Sequence, residues 1–180
     1  MNDGLLLGLP RETVIPPVGV GVKLITTSQA WVCPPGVYTV DFELISGGGG
    51  SAGIALVGCI TPVYYSAGSN GGTSSAFGFT VVGGNGYGNS PAASITTPAD
   101  NTEYMTVYGF LWGVGYGNGG SAVAAMPGTG GAAGPTVVGR ARVVPGVSYQ
   151  INIGGAGAGG PSGGYAAGNA GAQGAARLRW

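Results

Sequence analysis

Residues 149–180 read YQINIGGAGAGGPSGGYAAGNAGAQGAARLRW, and their reading decides the fold. Tyr149, Ile151 and Ile153 alternate with Gln150 and Asn152, the period of two that marks a half-buried strand. Ala176, Leu178 and Trp180 alternate with Arg177 and Arg179 in the same way at the far end. Between these strands glycine recurs every third residue, at Gly154, Gly157, Gly160 and Gly163, and again at Gly168, Gly171 and Gly174. A period of three fits neither an α-helix nor a strand. It fits the extended left-handed helix of polyproline II geometry, three residues per turn. Collagen uses that conformation too, but over long unbroken repeats that this chain lacks. A helix of this kind has no internal hydrogen bonds, so its N–H and C=O groups must find partners on neighbours. Glycine tracts packed side by side are therefore expected, with further members at residues 47–50, 68–72, 83–88, 115–120 and 128–134.

Glycine supplies 41 of 180 residues, charged residues only 7%, and the formal net charge is zero. A glycine-rich chain can also be a disordered linker. Such linkers are poor in bulky apolar groups and rich in charge. Here nine Tyr, four Phe and three Trp accompany Val and Ile in alternating runs, which favours order. The six acids all lie at or before Glu103, four of the six bases at or after Arg140, and none of either between Glu43 and Asp100. A surface so neutral offers no basic patch for nucleic acid, and it favours association within an assembly. Cys33 and Cys59 could pair, but two cysteines are too few for a disulfide scaffold, and free thiols are the reading favoured. No secretion signal is read in the acidic Met1-Asn2-Asp3 start, and the leucine run is too short for a membrane span, so assembly in a cytoplasm is expected.

Residues 1–27 differ from the rest. Leu5, Leu6, Leu7 and Leu9 form an apolar knot, and Pro10, Pro16 and Pro17 favour extended chain. Val18, Val20 and Val22 then alternate with Gly19 and Gly21. Two readings stand: a strand folded onto the domain, or an attachment arm that adds to a partner. The domain proper spans 28–180 and opens at Trp31. After a turn at Pro34-Pro35-Gly36, Tyr38, Val40, Phe42 and Leu44 face one way, and Thr39, Asp41 and Glu43 the other. Phe77, Phe79 and Val81 read as one short strand, residues 89–103 as a loop, and 104–112 as a buried strand or an aromatic loop. If the strand at 38–44 pairs with the last one, Asp41 and Glu43 face Arg177 and Arg179.

Taken in order, these pieces resemble the glycine-rich domain at the tips of bacteriophage tail fibres. Trp31, Pro35-Gly36, the strand at 38–44 and the glycines at 47–50 match its opening. Gly72, Thr73, Ser74, Phe77 and Gly78, with glycines at 83–86, match its middle after one inserted Ser-Ala. Pro145-Gly146, the Tyr-x-Ile-x-Ile-Gly strand from Tyr149 and the terminal strand closing on Trp180 match its end. Residues 98–127 do not align. The resemblance covers about residues 30–180. It implies an all-β, small β-sandwich-like domain with packed, polyglycine II-like segments and an extended N-terminal arm. It also implies a virion adhesin, built in the host cytoplasm, that binds a protein or glycan receptor on a bacterium. A structural virion subunit without a receptor is the alternative.

On that reading Tyr64, Tyr65, Tyr87, Tyr108, Phe110, Trp112 and Tyr116 are receptor-contact candidates, since Tyr and Trp give rigid contact area with a polar handle. Each has a second reading as a core side chain. Tyr116, between two glycines, is expected to be the most exposed. Leu5, Leu6, Leu7 and Leu9 are the assembly candidates, toward a tail-fibre or baseplate protein, and a homo-oligomer stays open. No enzyme is expected. Histidine is absent, which removes Ser-His-Asp and Cys-His chemistry and histidine metal sites. Gly155, Gly157 and Gly160 satisfy G-x-G-x-x-G, but no helix is read after them and no acid follows Glu103, so no dinucleotide or other cofactor is expected.

Overall fold

The structure, a computed structural model, describes residues 20–56, 63–88, 94–98, 104–107, 116–122 and 130–180. These residues are all-β, without a helix. Thirteen strands follow in chain order: β1 (Val22–Ile25), β2 (Gln29–Val32), β3 (Thr39–Ile45), β4 (Gly53–Leu56), β5 (Val63–Ser66), β6 (Ser74–Ala76), β7 (Phe79–Val81), β8 (Ile95–Thr96), β9 (Tyr104–Val107), β10 (Thr136–Arg142), β11 (Ser148–Ile151), β12 (Gly164–Ala166) and β13 (Ala175–Arg179). They form a five-stranded sheet β1-β13-β3-β10-β9 and three small ones, β11-β2, β12-β4-β5 and β6-β7-β8. Every paired strand runs antiparallel.

The base of the molecule is an apolar core. Val40, Phe42 and Leu44 of β3, Val137 and Ala141 of β10 and Ala176 and Leu178 of β13 all point to one face of the five-stranded sheet. Against them pack Trp31 and Ile151 from β2 and β11, and Ala76, Phe79 and Val81 from β6 and β7. A bridge between Ser75 and Asn152 ties those two small sheets together. Tyr38 departs from the alternation: it precedes β3 and is exposed, because β3 begins only after the turn.

Two Pro-Gly turns close the base. Val37 N–H reaches Pro34 C=O at 3.3 Å, and Val147 N–H reaches Val144 C=O at 3.1 Å, with Gly36 and Gly146 at φ +80° and +78°. Positive φ at the third turn residue after proline defines a type II turn. Phe77, expected within a strand, instead sits in a turn at φ +51° beside Gly78, and it joins β6 to β7 as a tight hairpin. The left-handed backbone costs about 1–2 kcal/mol at a non-glycine residue. Ring contacts to Trp31, Phe42 and Tyr149, at centroid distances of 6.0, 5.4 and 5.5 Å, offset it.

Above the base, where β3 ends, lies the glycine layer. Segment 46–52 is buried at every residue. Segments 69–72, 131–134 and 168–174 run against it and accept its N–H groups. Gly47 and Gly50 donate to Gly72 and Ser69 at 3.0 and 2.9 Å, Gly48 and Ser51 to Ala172 and Asn169 at 2.8 and 2.9 Å, and Gly49 to Ala132 at 2.9 Å. Segments 83–87, 117–120 and 154–160 run with it and donate to its carbonyls. Gly84 and Tyr87 reach Gly47 and Gly50 at 2.8 and 3.0 Å, Gly157 and Gly160 reach Gly48 and Ser51 at 2.8 Å each, and Gly120 reaches Gly49 at 2.8 Å. The six also bond in turn to each other: Gly71 to Gly84, Ala132 to Asn85, Gly134 to Gly117, Ala172 to Asn118, Gly171 to Gly157 and Gly72 to Gly155. A Cβ built on Gly47, Gly48, Gly49 or Gly50 would fall well inside 3.0 Å of a neighbour's backbone, so no larger residue fits.

Of three further spans in the base, one departs from the sequence reading. Residues 22–25, in the span read either as a strand folded onto the domain or as an attachment arm, form β1 and carry Ile25 into the core. Residues 89–103, read as loop, include β8, which pairs with β7. Only 104–107 of the aromatic run is a described strand, β9, on β10.

Candidate functional site

The seven glycine segments give the molecule two ends. Strands β3, β10 and β13 all meet the layer at one side, through Ile45, Thr136 and Ala175. The segments that rise from the base emerge at the other side, into β4 after residue 52, the Tyr87-Gly88 turn, Ser121-Ala122 and β12. The three-stranded sheet β12-β4-β5 therefore lies at the far end of the layer, and we refer to that end as the tip.

Backbone register places the tip tyrosines. Tyr65 pairs with Ile54 and Tyr64 with Ala55 across β4 and β5. On the other edge Gly164 pairs with Ala55 and Ala166 with Ile54, so Tyr165 is the extra residue of a β-bulge. Such bulges re-aim a side chain, and Tyr165 is 56% exposed, in a run from Pro161 to Tyr165 that is exposed throughout. Gly164 has φ +102°, a backbone that favours glycine. Tyr87 sits half-buried at the tip turn, its N–H bonded to Gly50.

The seven contact candidates are not brought together. Tyr64, Tyr65 and Tyr87 lie at the tip. Tyr116 does not: it precedes segment 117–120 at the base side, where a Cβ on Gly117 would meet Ile45, and it is half-buried there. Flanking glycines open the chain to close packing as well as to solvent, which explains the miss. Tyr108, Phe110 and Trp112 lie outside the described residues, as do Leu5, Leu6, Leu7 and Leu9. Tyr165 was not singled out from sequence, though Gly163-Gly164 before it was the available signal of a break in the three-residue repeat.

Charge divides the two ends. Every described ionisable acid or base other than tyrosine and cysteine belongs to the five-stranded sheet: Lys23, Asp41, Glu43, Arg140, Arg142, Arg177 and Arg179. Arg140 Nε and Nη2 grip Asp41 Oδ1 and Oδ2 at 2.6 and 3.0 Å, and this holds the Asp41 carboxyl below the usual carboxylate range. Glu43 lies opposite Arg177, as anticipated, bonds to its guanidinium and also meets Arg179 Nη1 at 3.0 Å. Cys33 is a buried free thiol, donates to Val37 C=O at 3.3 Å, and burial pushes its pKa up; Cys59 lies outside the described residues. Among the described residues no three of His, Cys, Asp or Glu gather where they could hold a metal ion.

The tip thus presents phenol rings, hydroxyls and backbone amides without described charge. Such a surface can recognise a neutral glycan or polypeptide by stacking and hydrogen bonding. No protein-family model matches the chain, and no curated protein is significantly similar to it.

Proposed function

We infer that this chain is a bacteriophage adhesin, a tail-fibre or tail-tip protein that binds a protein or glycan receptor on the bacterial host. The observation that carries the reading is its polarity. The first described residues, Val20 and Gly21, enter beside Trp180 at the pole farthest from the glycine layer. Tyr165 and the strand pair β4–β5 stand at the opposite pole, on a layer where residues 47–50 admit no side chain. One pole suits attachment to a fibre or baseplate protein, and the other suits receptor contact.

The finer architecture is part of this proposal. The segments are read as polyglycine II helices stacked on a two-layer β-sandwich base. Donors repeating every third residue, 47 with 50 and 48 with 51, each pair to one neighbour, support the three-residue turn. A layer so built is stiff, and it presents the tip loops without ordering cost at binding. One copy binds weakly, and several on a particle bind tightly by avidity.

The test is competition. Soluble full-length chain is added to susceptible bacteria before phage. The adhesin reading expects bacteria to be coated and adsorption to fall as the protein saturates them. Adsorption unchanged at saturation would assign the chain a purely structural role in the virion.

A further inference from the structure

The exposed bulky apolar side chains are unevenly placed. Of the nine exposed among the described residues, Val20, Val22, Val32, Tyr38, Val144 and Val147 lie at the pole opposite the tip, while Leu24, Val82 and Tyr165 lie apart from them. Val20 is 93% exposed and Tyr38 68%. They belong to chain segments tied to each other by backbone bonds. Val143 N–H reaches Tyr38 C=O at 2.9 Å, Val147 N–H reaches Val144 C=O, and Cys33 N–H, next to Val32, reaches Val147 C=O at 2.9 Å. On the other side Gly21 and Trp180 exchange backbone bonds of 2.7 and 3.0 Å. A groove of about 320 Å³, with Tyr38, Asp41, Arg179 and Trp180 in its walls, joins the two sides. The two Pro-Gly turns form part of this rim. Exposed apolar side chains gathered at one pole mark an interaction surface more often than chance scatter does.

Charge says what would cover it. In the described part of the sheet five cations, Lys23, Arg140, Arg142, Arg177 and Arg179, stand against two acids, Asp41 and Glu43. Arg140 and Asp41 satisfy one another, and Arg177 and Arg179 share Glu43. Lys23 and Arg142 have no ion pair among the described residues, and Arg142 is exposed beside Val143 and Val144. A second copy docking pole to pole about a two-fold axis would bring the same cations and, among the described side chains, no unpaired carboxylate to meet them.

We propose that this pole, around Val32, Tyr38, Val144 and Val147, is a docking face for a different protein whose apolar surface is bordered by carboxylates. The proposal rests on the adhesin reading for its biological setting, and it assigns the attachment contact to the folded body in addition to the N-terminal leucines. Partner carboxylates would pair with Arg142 and Lys23, and the valines and Tyr38 would supply the buried centre of the contact.

The experiment places a photoreactive amino acid at Val32, at Val144 or, as control, at Tyr165 of the full chain, in the cells that naturally make it. Cross-linked peptides are identified by mass spectrometry. The Val32 and Val144 probes are expected to join one chain of different sequence, at a segment holding both apolar residues and Asp or Glu. The Tyr165 probe is expected not to reach that segment. Arg142→Glu should cut the yield at least about tenfold, since one opposed charge pair in a partly desolvated contact accounts for that much. Its thermal melting should match the parent, because Arg142 is exposed. Cross-links between two copies of this chain, within one copy to residues 1–19, to a segment without carboxylates, or to nothing would each overturn the proposal. The two ideas fail separately. Pole cross-links with no block of adsorption would remove the adhesin reading alone, and blocked adsorption without pole cross-links would remove the docking face alone.

Discussion

The base and the glycine layer are both buried, and different physics holds each together. In the base, side chains exclude water: Phe42 meets Phe77 and Phe79 at ring centroid distances of 5.4 and 4.9 Å inside a single apolar cluster. In the layer there are hardly any side chains to bury. Segment 46–52 is enclosed by six others, and backbone hydrogen bonds to neighbours replace those to water. Glycine loses more conformational freedom on folding than any other residue, and a buried N–H left unpaired costs about 1–3 kcal/mol. The layer is therefore stable only if nearly all its amides are paired. The base should tolerate loss of volume by degrees, whereas the enclosed positions of the layer should tolerate no added volume at all.

That contrast can be broken by substitution, starting with the largest effect. Gly49→Ala drives a methyl into the backbone of Asn85 and Gly86, which cannot swing aside. We expect a loss above about 4 kcal/mol, beyond the usual range for point changes, read as the absence of a cooperative thermal transition. Phe42→Ala empties the centre of the base and should cost about 3–5 kcal/mol in denaturant unfolding, with the transition still cooperative. Gly146→Ala meets nothing within 4 Å but forces φ +78° on an alanine. Its expected cost is about 1–2 kcal/mol, read as a lowered Tm.

Two smaller effects sharpen the picture. The Asp41–Arg140 pair is half exposed on both sides, so Asp41→Asn should cost about 0.2–1 kcal/mol at neutral pH. Pairing lowers the folded-state pKa of Asp41. Its contribution is thus present above about pH 4, the unfolded carboxyl value, and lost as pH falls through the folded one. The Tm gap between parent and Asp41→Asn should close on acidification. Gly155→Ala, with open space around the new methyl and no positive φ, should fall within about 0.5 kcal/mol of the parent in the same melts. A large loss there would mean that glycine content alone, and not enclosure, makes the layer fragile.

Much of the base was legible because side-chain parity reports which face is buried. Val40, Phe42 and Leu44, then Ile151, then Ala176 and Leu178, all show the alternation and all are buried. The pairing of Glu43 with Arg177 followed from the same parity once β3 and β13 were set side by side. Parity fails where the backbone turns. Phe77 has strand-like neighbours, but it sits at the first position of the tight β6–β7 turn, and the aromatic contacts that offset its left-handed φ come from across the fold, which no local pattern encodes. β1 and β8 are short edge strands whose few residues show too little alternation to separate from arm or loop. At the tip, sequence pointed to tyrosines but not to which end of a segment each occupies. Tyr116 and Tyr87 both adjoin glycines and their segments run the same way, but Tyr116 precedes its segment and Tyr87 ends its own, which puts one at the base and the other at the tip.

The central claim is that the amides of residues 47–51 are bonded to neighbouring glycine segments and closed to water. Native-state amide hydrogen exchange on the full chain measures this directly. The account predicts that these five amides exchange among the slowest in the molecule, at rates set by global unfolding and similar to those of Phe42 and Leu44 in β3. Exchange of residues 47–51 at the rate of an open chain, while Phe42 and Leu44 stay protected, would contradict it.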